Sequence, residues 1–249
     1  MYIDLHCHLD ILEDIPDVIE NARNAGLKKI VTTGICKDSN RKALKLVKEY
    51  DIVEASVGVY PWDALEFEKG EKLDFDIDNE IEWIKKNKDN IVAIGEVGLD
   101  YKNGKPDNGQ RKQFRKLLQL AKELDKPVII HSRKAEEDAI QILEEEKMRK
   151  VVMHCFSGKK RLMKRARDNN WYFTVPTSVV RAEQFQIMVK EVPLSRLFCE
   201  TDSPFLSPFK KHWNEPAFVA ESYKKIAEIK EMELNEVKNN IFLNWQRLF

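Results

Sequence analysis

The chain lacks linkers. No Pro/Gly/Ser-rich stretch, low-complexity tract or shift in composition interrupts its 249 residues, and glycine and proline number only 9 each. One continuous domain spanning residues 1–249 is therefore expected. Charge of one sign is lacking too, since 42 basic and 42 acidic residues cancel to a formal +0. No overall positive field draws in a nucleic acid, so such a partner must be met by a local basic patch or by metal ions. The four cysteines, Cys7, Cys36, Cys155 and Cys199, stand far apart with no Cys-x-x-Cys spacing. That excludes a small disulfide scaffold and fits reduced thiols in a cytosol. No apolar run reaches the ~18 residues of a membrane span, and no basic region, apolar core and small-residue cleavage site open the chain. A cytoplasmic protein with no membrane partner is the expectation.

A glycine-rich phosphate loop is also absent after the first apolar run, Tyr2–Leu5; His6-Cys7-His8 occupies that place. This argues against an open dinucleotide-binding sheet. If the run is a strand, its side chains alternate, so His6 and His8 share one face and Cys7 points the other way. Two imidazoles held at fixed spacing start a divalent metal site, although alone they serve equally well as backbone-bonded histidines.

Downstream, short apolar runs alternate with amphipathic stretches. Expected strands are Tyr2–Leu5, Lys29–Thr33, Val53–Val57, Ile91–Gly95, Pro127–Ile130, Val151–Met153, Trp171–Val175 and Leu197–Cys199. A helical pattern follows each. The first, Ile15–Ala25, carries Asp14 and Pro16 as start signals and Gly26 as a stop; Glu233–Leu248 adds a further C-terminal helix. Eight strand–helix units in this length predict a (β/α)8 TIM barrel, whose chemistry sits at the C-terminal ends of the strands. There the first strand ends in His6 and His8, the fourth in Glu96, the fifth in His131, the sixth in His154, and the eighth runs into Glu200-Thr201-Asp202. Four histidines and two carboxylates on five strand ends form the ligand inventory for two adjacent divalent ions.

The chain resembles the TatD-family metal-dependent deoxyribonucleases nearly end to end. The motifs that carry this are Asp4-Leu5-His6-Cys7-His8-Leu9-Asp10, Gly95-Glu96-Val97-Gly98-Leu99-Asp100-Tyr101, Pro127-Val128-Ile129-Ile130-His131-Ser132-Arg133, His154-Cys155-Phe156-Ser157-Gly158 and Glu200-Thr201-Asp202-Ser203-Pro204-Phe205-Leu206. Asn214-Glu215-Pro216 and the terminal Asn244 to Phe249 also fit. The resemblance implies that His6, His8 and Asp202 hold one metal and His131 and His154 the other, with Glu96 bridging them. One departure stands at Gly58-Val59-Tyr60-Pro61, where family members often carry Gly-x-His-Pro. A phenol there keeps a hydrogen bond to phosphate within reach but puts substrate preference at that wall in doubt.

The implied activity is phosphodiester hydrolysis of DNA, as a 3′–5′ exonuclease acting on single strands or 3′ ends. Two cations lower the pKa of a shared water toward ~7 and polarise a phosphoryl oxygen. A metal-bridging hydroxide is then the expected nucleophile, with Asp202 as general base and Glu96 beside it in the catalytic set. Four imidazoles favour Zn²⁺, Mn²⁺ or Co²⁺ over Mg²⁺, although the family's assays commonly use Mg²⁺. Arg133 either clamps a phosphate or pairs with a carboxylate. Tyr60, Tyr101, Ser157 and Ser203 are further candidate substrate contacts, and Glu200 either supports a ligand histidine or sits in an interior ion pair. Asn214 and Glu215 read as a cap on the eighth helix. Loop aromatics Trp62, Tyr101, Phe156, Phe205 and His212 offer stacking surfaces for bases. Lys102, Lys105, Lys159, Lys160, Lys210 and Lys211 offer a basic rim or simply solvated loops. Trp83, Trp171, Trp213 and Trp245 receive no role. Rival readings are a hydrolase of small esters, amides or aminoacyl linkages, and a non-catalytic barrel with a vestigial site. The complete ligand set argues against the second. A monomer is expected.

Overall fold

A computed structural model of the chain describes residues 1–61, 76–102, 108–210 and 212–249. Trp62, Lys105 and Lys211 lie outside the described residues. Eight parallel strands follow one another in sheet order from first to last and alternate with helices, giving the expected (β/α)8 class with an added C-terminal helix. The strands are β1 (Tyr2–Cys7), β2 (Leu27–Thr33), β3 (Val53–Val57), β4 (Ala93–Gly98), β5 (Val128–His131), β6 (Val151–Met153), β7 (Tyr172–Pro176) and β8 (Leu197–Glu200). Among the described residues the helices are α1 (Ile15–Asn24), α2 (Lys37–Glu49), α3 (Ile77–Lys86), α4 (Asn108–Glu123), α5 (Glu136–Glu145), α6 (Lys160–Asp168), α7 (Glu183–Glu191), α8 (Val219–Lys230) and α9 (Leu234–Leu248). Among the described residues no helix is long and apolar enough to cross a membrane.

The backbone packs into two compact units. The first comprises Met1–Thr32, Leu46–Glu54 and Tyr172–Phe249. In it β1 pairs with β2, Asp4 lying opposite Ile30, and β7 pairs with β8, Pro176 lying opposite Glu200. The end of β1 is tied to the segment after β8: Asp202 N donates to His6 O at 2.9 Å and His8 N to Ser203 O at 2.8 Å. The C-terminal helix is anchored by Asn244, whose buried Nδ2 donates to Leu194 O and Leu197 O, each at 2.9 Å, at the start of β8.

The second unit comprises Thr33–Lys45 and Ala55–Trp171. Here the apolar residues of β4, β5 and β6 are buried on both faces, as parallel strands covered by helices must be. The fourth strand extends three residues past the expected Gly95, because Glu96, Val97 and Gly98 are all buried and continue the ladder. An interior carboxylate reads as a strand end in sequence; the backbone instead carries it inside the strand. Gly98 permits this. Its φ is +149°, and a Cβ there would lie 1.9 Å from His131 O, so only glycine allows β4 to approach β5 so closely. At α1 the expected start residue behaves differently. Asp14 adopts a left-handed φ of 49° and makes no side-chain cap bond, leaving Pro16 as the effective start signal.

Gly98→Ala combines backbone strain with a collision against the β5 backbone and is expected to cost about 3 kcal/mol. For a chain of this size that is a Tm fall of roughly 10 °C. A thermal melt within ~1 °C of the unsubstituted protein would show that the two strands are not so close.

Candidate metal centre

In the first unit the backbone brings three candidate ligands together. Asp4 sits in the middle of β1 with no solvent exposure, where a carboxylate needs partners. It finds them after β8: Thr201 N donates to Oδ1 at 2.8 Å and Thr201 Oγ1 to Oδ2 at 2.6 Å. Burial pushes the Asp4 carboxyl well above the usual range, with neighbouring Glu200 adding to the rise, while the Thr201 bonds pull the other way. Asp202 follows in the left-handed region, φ 54°, a conformation that aspartate tolerates better than most residues. Asn214 braces this turn from outside, its Nδ2 donating to Thr201 O and Phe205 O, each at 2.7 Å, and to Thr177 Oγ1 at 2.9 Å.

His6 and His8 meet Asp202 as a result. The strand ends at Cys7, yet His8 stays extended enough for the alternation to hold. The two Nε2 atoms lie 3.3 Å apart, and each is 3.5 Å from Asp202 Oδ1. Two ligands at ~2.0–2.1 Å on a tetrahedral ion stand about 3.4 Å from each other. The three donor atoms therefore already have the mutual spacing of ligands to one cation, and their chemistry, two imidazoles and a carboxylate, suits a borderline divalent ion.

In the second unit Glu96, His131 and His154 offer one ligand atom each within 4.8 Å of one another. His131 Nδ1 is 2.6 Å from Glu96 Oε1, and His154 Nε2 is 3.8 Å from the same oxygen. The short contact is a charge-assisted hydrogen bond whose proton a metal ion would replace. The other face of His131 is held by Asp100, whose Oδ2 lies 2.9 Å from Nε2. Burial alone would lower the His131 pKa, but Glu96 and Asp100 on its two sides push it up.

Asp100 is the hub of this unit. Its Oδ2 accepts from Tyr60 OH and from Arg133 Nε, each at 2.6 Å, and its Oδ1 from Lys102 N at 2.8 Å. Its own backbone is clamped by Gln110, which accepts from Asp100 N at 2.8 Å and donates to Asp100 O at 2.9 Å. Burial would raise this carboxyl, yet the bonds from His131, Arg133 and Tyr60 hold it well below the usual carboxylate range. Kept ionised, it fixes the Nε2 proton on His131 and presents Nδ1 toward Glu96.

The structure thus groups the six expected ligands as His6, His8 and Asp202 in one unit and Glu96, His131 and His154 in the other. Tyr60 and Arg133 converge on Asp100, with Arg133 Nη2 also 3.2 Å from Tyr60 OH. The carboxylate pairing weighed for Arg133 is present, and the Tyr60 phenol is spent on the same carboxylate. Tyr101 OH donates instead to Asp138 at 3.0 Å, and Ser157 Oγ to Glu136 at 3.2 Å. Ser203 is fully buried, so its part lies in the turn: its carbonyl holds His8 and its N–H donates to Thr201 Oγ1 at 3.2 Å. Of the residues without an expected role, Asp4 was signalled by a charge inside an apolar strand. Asp100 was signalled only by its place in the segment after β4. Asn214 is a clamp on the β8 turn rather than a helix cap.

A sequence model of the TatD-related DNase family matches residues 3–249. The chain belongs to that family. It is 36% identical over 261 aligned positions to the metal-dependent hydrolase YabD of Bacillus subtilis, covering 100% of this chain and 99% of that protein. To human deoxyribonuclease TATDN3 it is 34% identical, covering 99% of this chain and 94% of the relative. The crystal structure of the TatD homologue YJJV from Escherichia coli superimposes with a TM-score of 0.88 at 26% identity, covering 100% and 97% of the two chains. The chain is accordingly a TatD-family metal-dependent hydrolase, and its side chains supply groups able to hold a metal.

Because Asp100 sets the His131 tautomer, Asp100→Asn is expected to weaken divalent-metal binding by about 10- to 100-fold. Calorimetric titration of the metal-stripped protein reads this directly; unchanged affinity would remove Asp100 from the centre.

Proposed function

We propose that this TatD-family protein hydrolyses phosphodiester bonds of DNA, trimming single strands or frayed ends from the 3′ side with two divalent ions. The observation that carries the reading is the His6–His8–Asp202 triad, whose donor atoms stand 3.3–3.5 Å apart, the spacing of ligands to one cation. His131, His154 and Glu96 would hold the second ion. When bound, such ions lower the pKa of a water toward ~7 and polarise a phosphoryl oxygen.

The chain's own residues supply the rest. Asp202 accepts the proton of the attacking water as general base. Its carboxylate keeps some solvent access, as that role requires, at 15% side-chain exposure. His6 and His8 present neutral nitrogens and leave the charge balance to the carboxylates. Arg133, oriented by Asp100 and 35% exposed, is the guanidinium that meets a phosphate oxygen. Tyr60 serves by stiffening that arginine and His131 rather than by touching substrate. Imidazole-rich ligation favours Zn²⁺, Mn²⁺ or Co²⁺.

End-labelled single-stranded DNA incubated with metal-stripped protein and one added ion at a time tests the activity, beside His131→Ala. A ladder receding from the 3′ end, dependent on metal and lost in the variant, is expected. No cleavage with any ion would turn the assignment to carbonyl substrates such as small esters. Asp202→Asn separates ligation from proton transfer. It should retain measurable metal binding while kcat falls about 10²- to 10⁴-fold, and a near-normal rate would remove the general-base role.

A further inference from the structure

An apolar groove of about 380 Å³ opens in the first unit between the segment after β1 and the segment after β8. Its walls include Ile11, Leu12, Pro204, Trp213 and Phe218. Trp213 is 76% exposed and Phe205, on the same turn as Asp202, is 52% exposed. Both follow Asp202 in sequence and offer aromatic surface to a ligand.

The groove adjoins the turn that carries Asp202, since Pro204 and Asn214 both line it. The Phe205 ring centroid lies 6.3 Å from that of His8, edge to face, and Phe205 N donates to Asp202 O at 2.8 Å. Asn214, which braces the Asp202 turn, is itself part of the groove wall beside Trp213. A group seated against Trp213 therefore meets the same segment that Asn214 clamps onto the Asp202 turn.

The charges at the groove select the occupant. Among the described residues, the ionisable ones lining it are both acidic, Glu13 and Glu215. Asn21 Nδ2 donates to Glu215 Oε2 at 3.3 Å and holds it in place. Carboxylates repel a phosphate and an anionic lipid surface, but they accept hydrogen bonds from the amino and imino N–H groups on base edges. Flat aromatic faces with acceptors at the margin suit a nucleobase and disfavour the sugar–phosphate chain.

We propose that this groove is a nucleobase-binding subsite, in which Trp213 stacks on an unpaired base of the strand whose phosphodiester lies at the His6–His8–Asp202 triad. The assignment rests on the nuclease reading for its ligand class and names the substrate feature recognised: an unstacked base near the reacting bond. Stacking of this kind strengthens binding by about 5- to 150-fold per base.

The test uses the full-length protein and short fluorescent single-stranded DNAs in which one abasic residue is scanned through the three nucleotides at the 3′ end. Affinity is read by anisotropy in EDTA and in Mn²⁺, and cleavage of the same strands is read on gels. The expected result is one position at which the abasic strand binds about tenfold more weakly than the intact one. That ratio should fall to near one in Trp213→Ala and be largely kept in Trp213→Phe. Because Trp213 is mostly in solvent, the alanine variant should fold, which circular dichroism verifies. A ratio that survives Trp213→Ala, or no ratio at any position, overturns the subsite. So does sedimentation showing a dimer that Trp213→Ala dissociates, since a second copy would then cover the groove. The two readings fail separately. Base discrimination without cleavage keeps the groove and removes the nuclease; cleavage without discrimination does the reverse.

Discussion

A carboxylate buried without solvent contact in the first strand is the constraint on which the first ligand triad depends. Asp4 cannot stay where it is unless its oxygens are met, and the donors that meet them, the N–H and hydroxyl of Thr201, lie at the far end of the sequence, directly before Asp202. Burying such a group unpaired is costly, so the pair forms together or not at all. Once it forms, backbone bonds from Asp202 to His6 and from His8 to Ser203 follow in register, and three ligand atoms from opposite ends of the chain fall into cation spacing. The proposed metal site would be prepared by hydrogen bonds that contain none of its own ligand atoms.

The second unit repeats the device with a different geometry. Asp100 is an ionised carboxylate surrounded by three side-chain donors, and through it His131, Tyr60 and Arg133 are fixed to one point. One consequence concerns the phenol at residue 60. Where the resemblance suggests an imidazole able to face substrate, this chain has a hydroxyl committed at 2.6 Å to Asp100, with burial and the nearby Glu96 and Asp100 charges keeping it protonated. A permanently protonated donor stiffens the arginine and the ligand histidine across the pH range in which the imidazole at residue 131 would itself titrate.

The candidate ligands could be named from the sequence because metal chemistry restricts residue type, and strand ends restrict position. His6, His8, Glu96, His131, His154 and Asp202 stand where apolar runs stop, and no propensity argument was needed to find them. What supports them was much less legible. Asp100 lies two residues beyond β4, where an aspartate ordinarily signals a turn, and its role depends on residues 40 positions upstream and 33 downstream. Asn214 before a proline looks like a helix cap, but its amide is turned back onto the Asp202 turn. Glu96 seemed to end a strand because it is charged, whereas the strand continues to Gly98 and buries it. Asp14 carried the composition of a cap without the backbone angle for one. In each case the local signal was a residue type, and the outcome was decided by a partner distant in sequence.

The central claim, that these two triads are metal sites, is tested most directly by anomalous diffraction from crystals soaked with Mn²⁺ or Zn²⁺. The account predicts one peak bounded by His6 Nε2, His8 Nε2 and Asp202, and a second bounded by Glu96, His131 and His154. Anomalous density confined to other residues, or none at full soaking concentration, would contradict it.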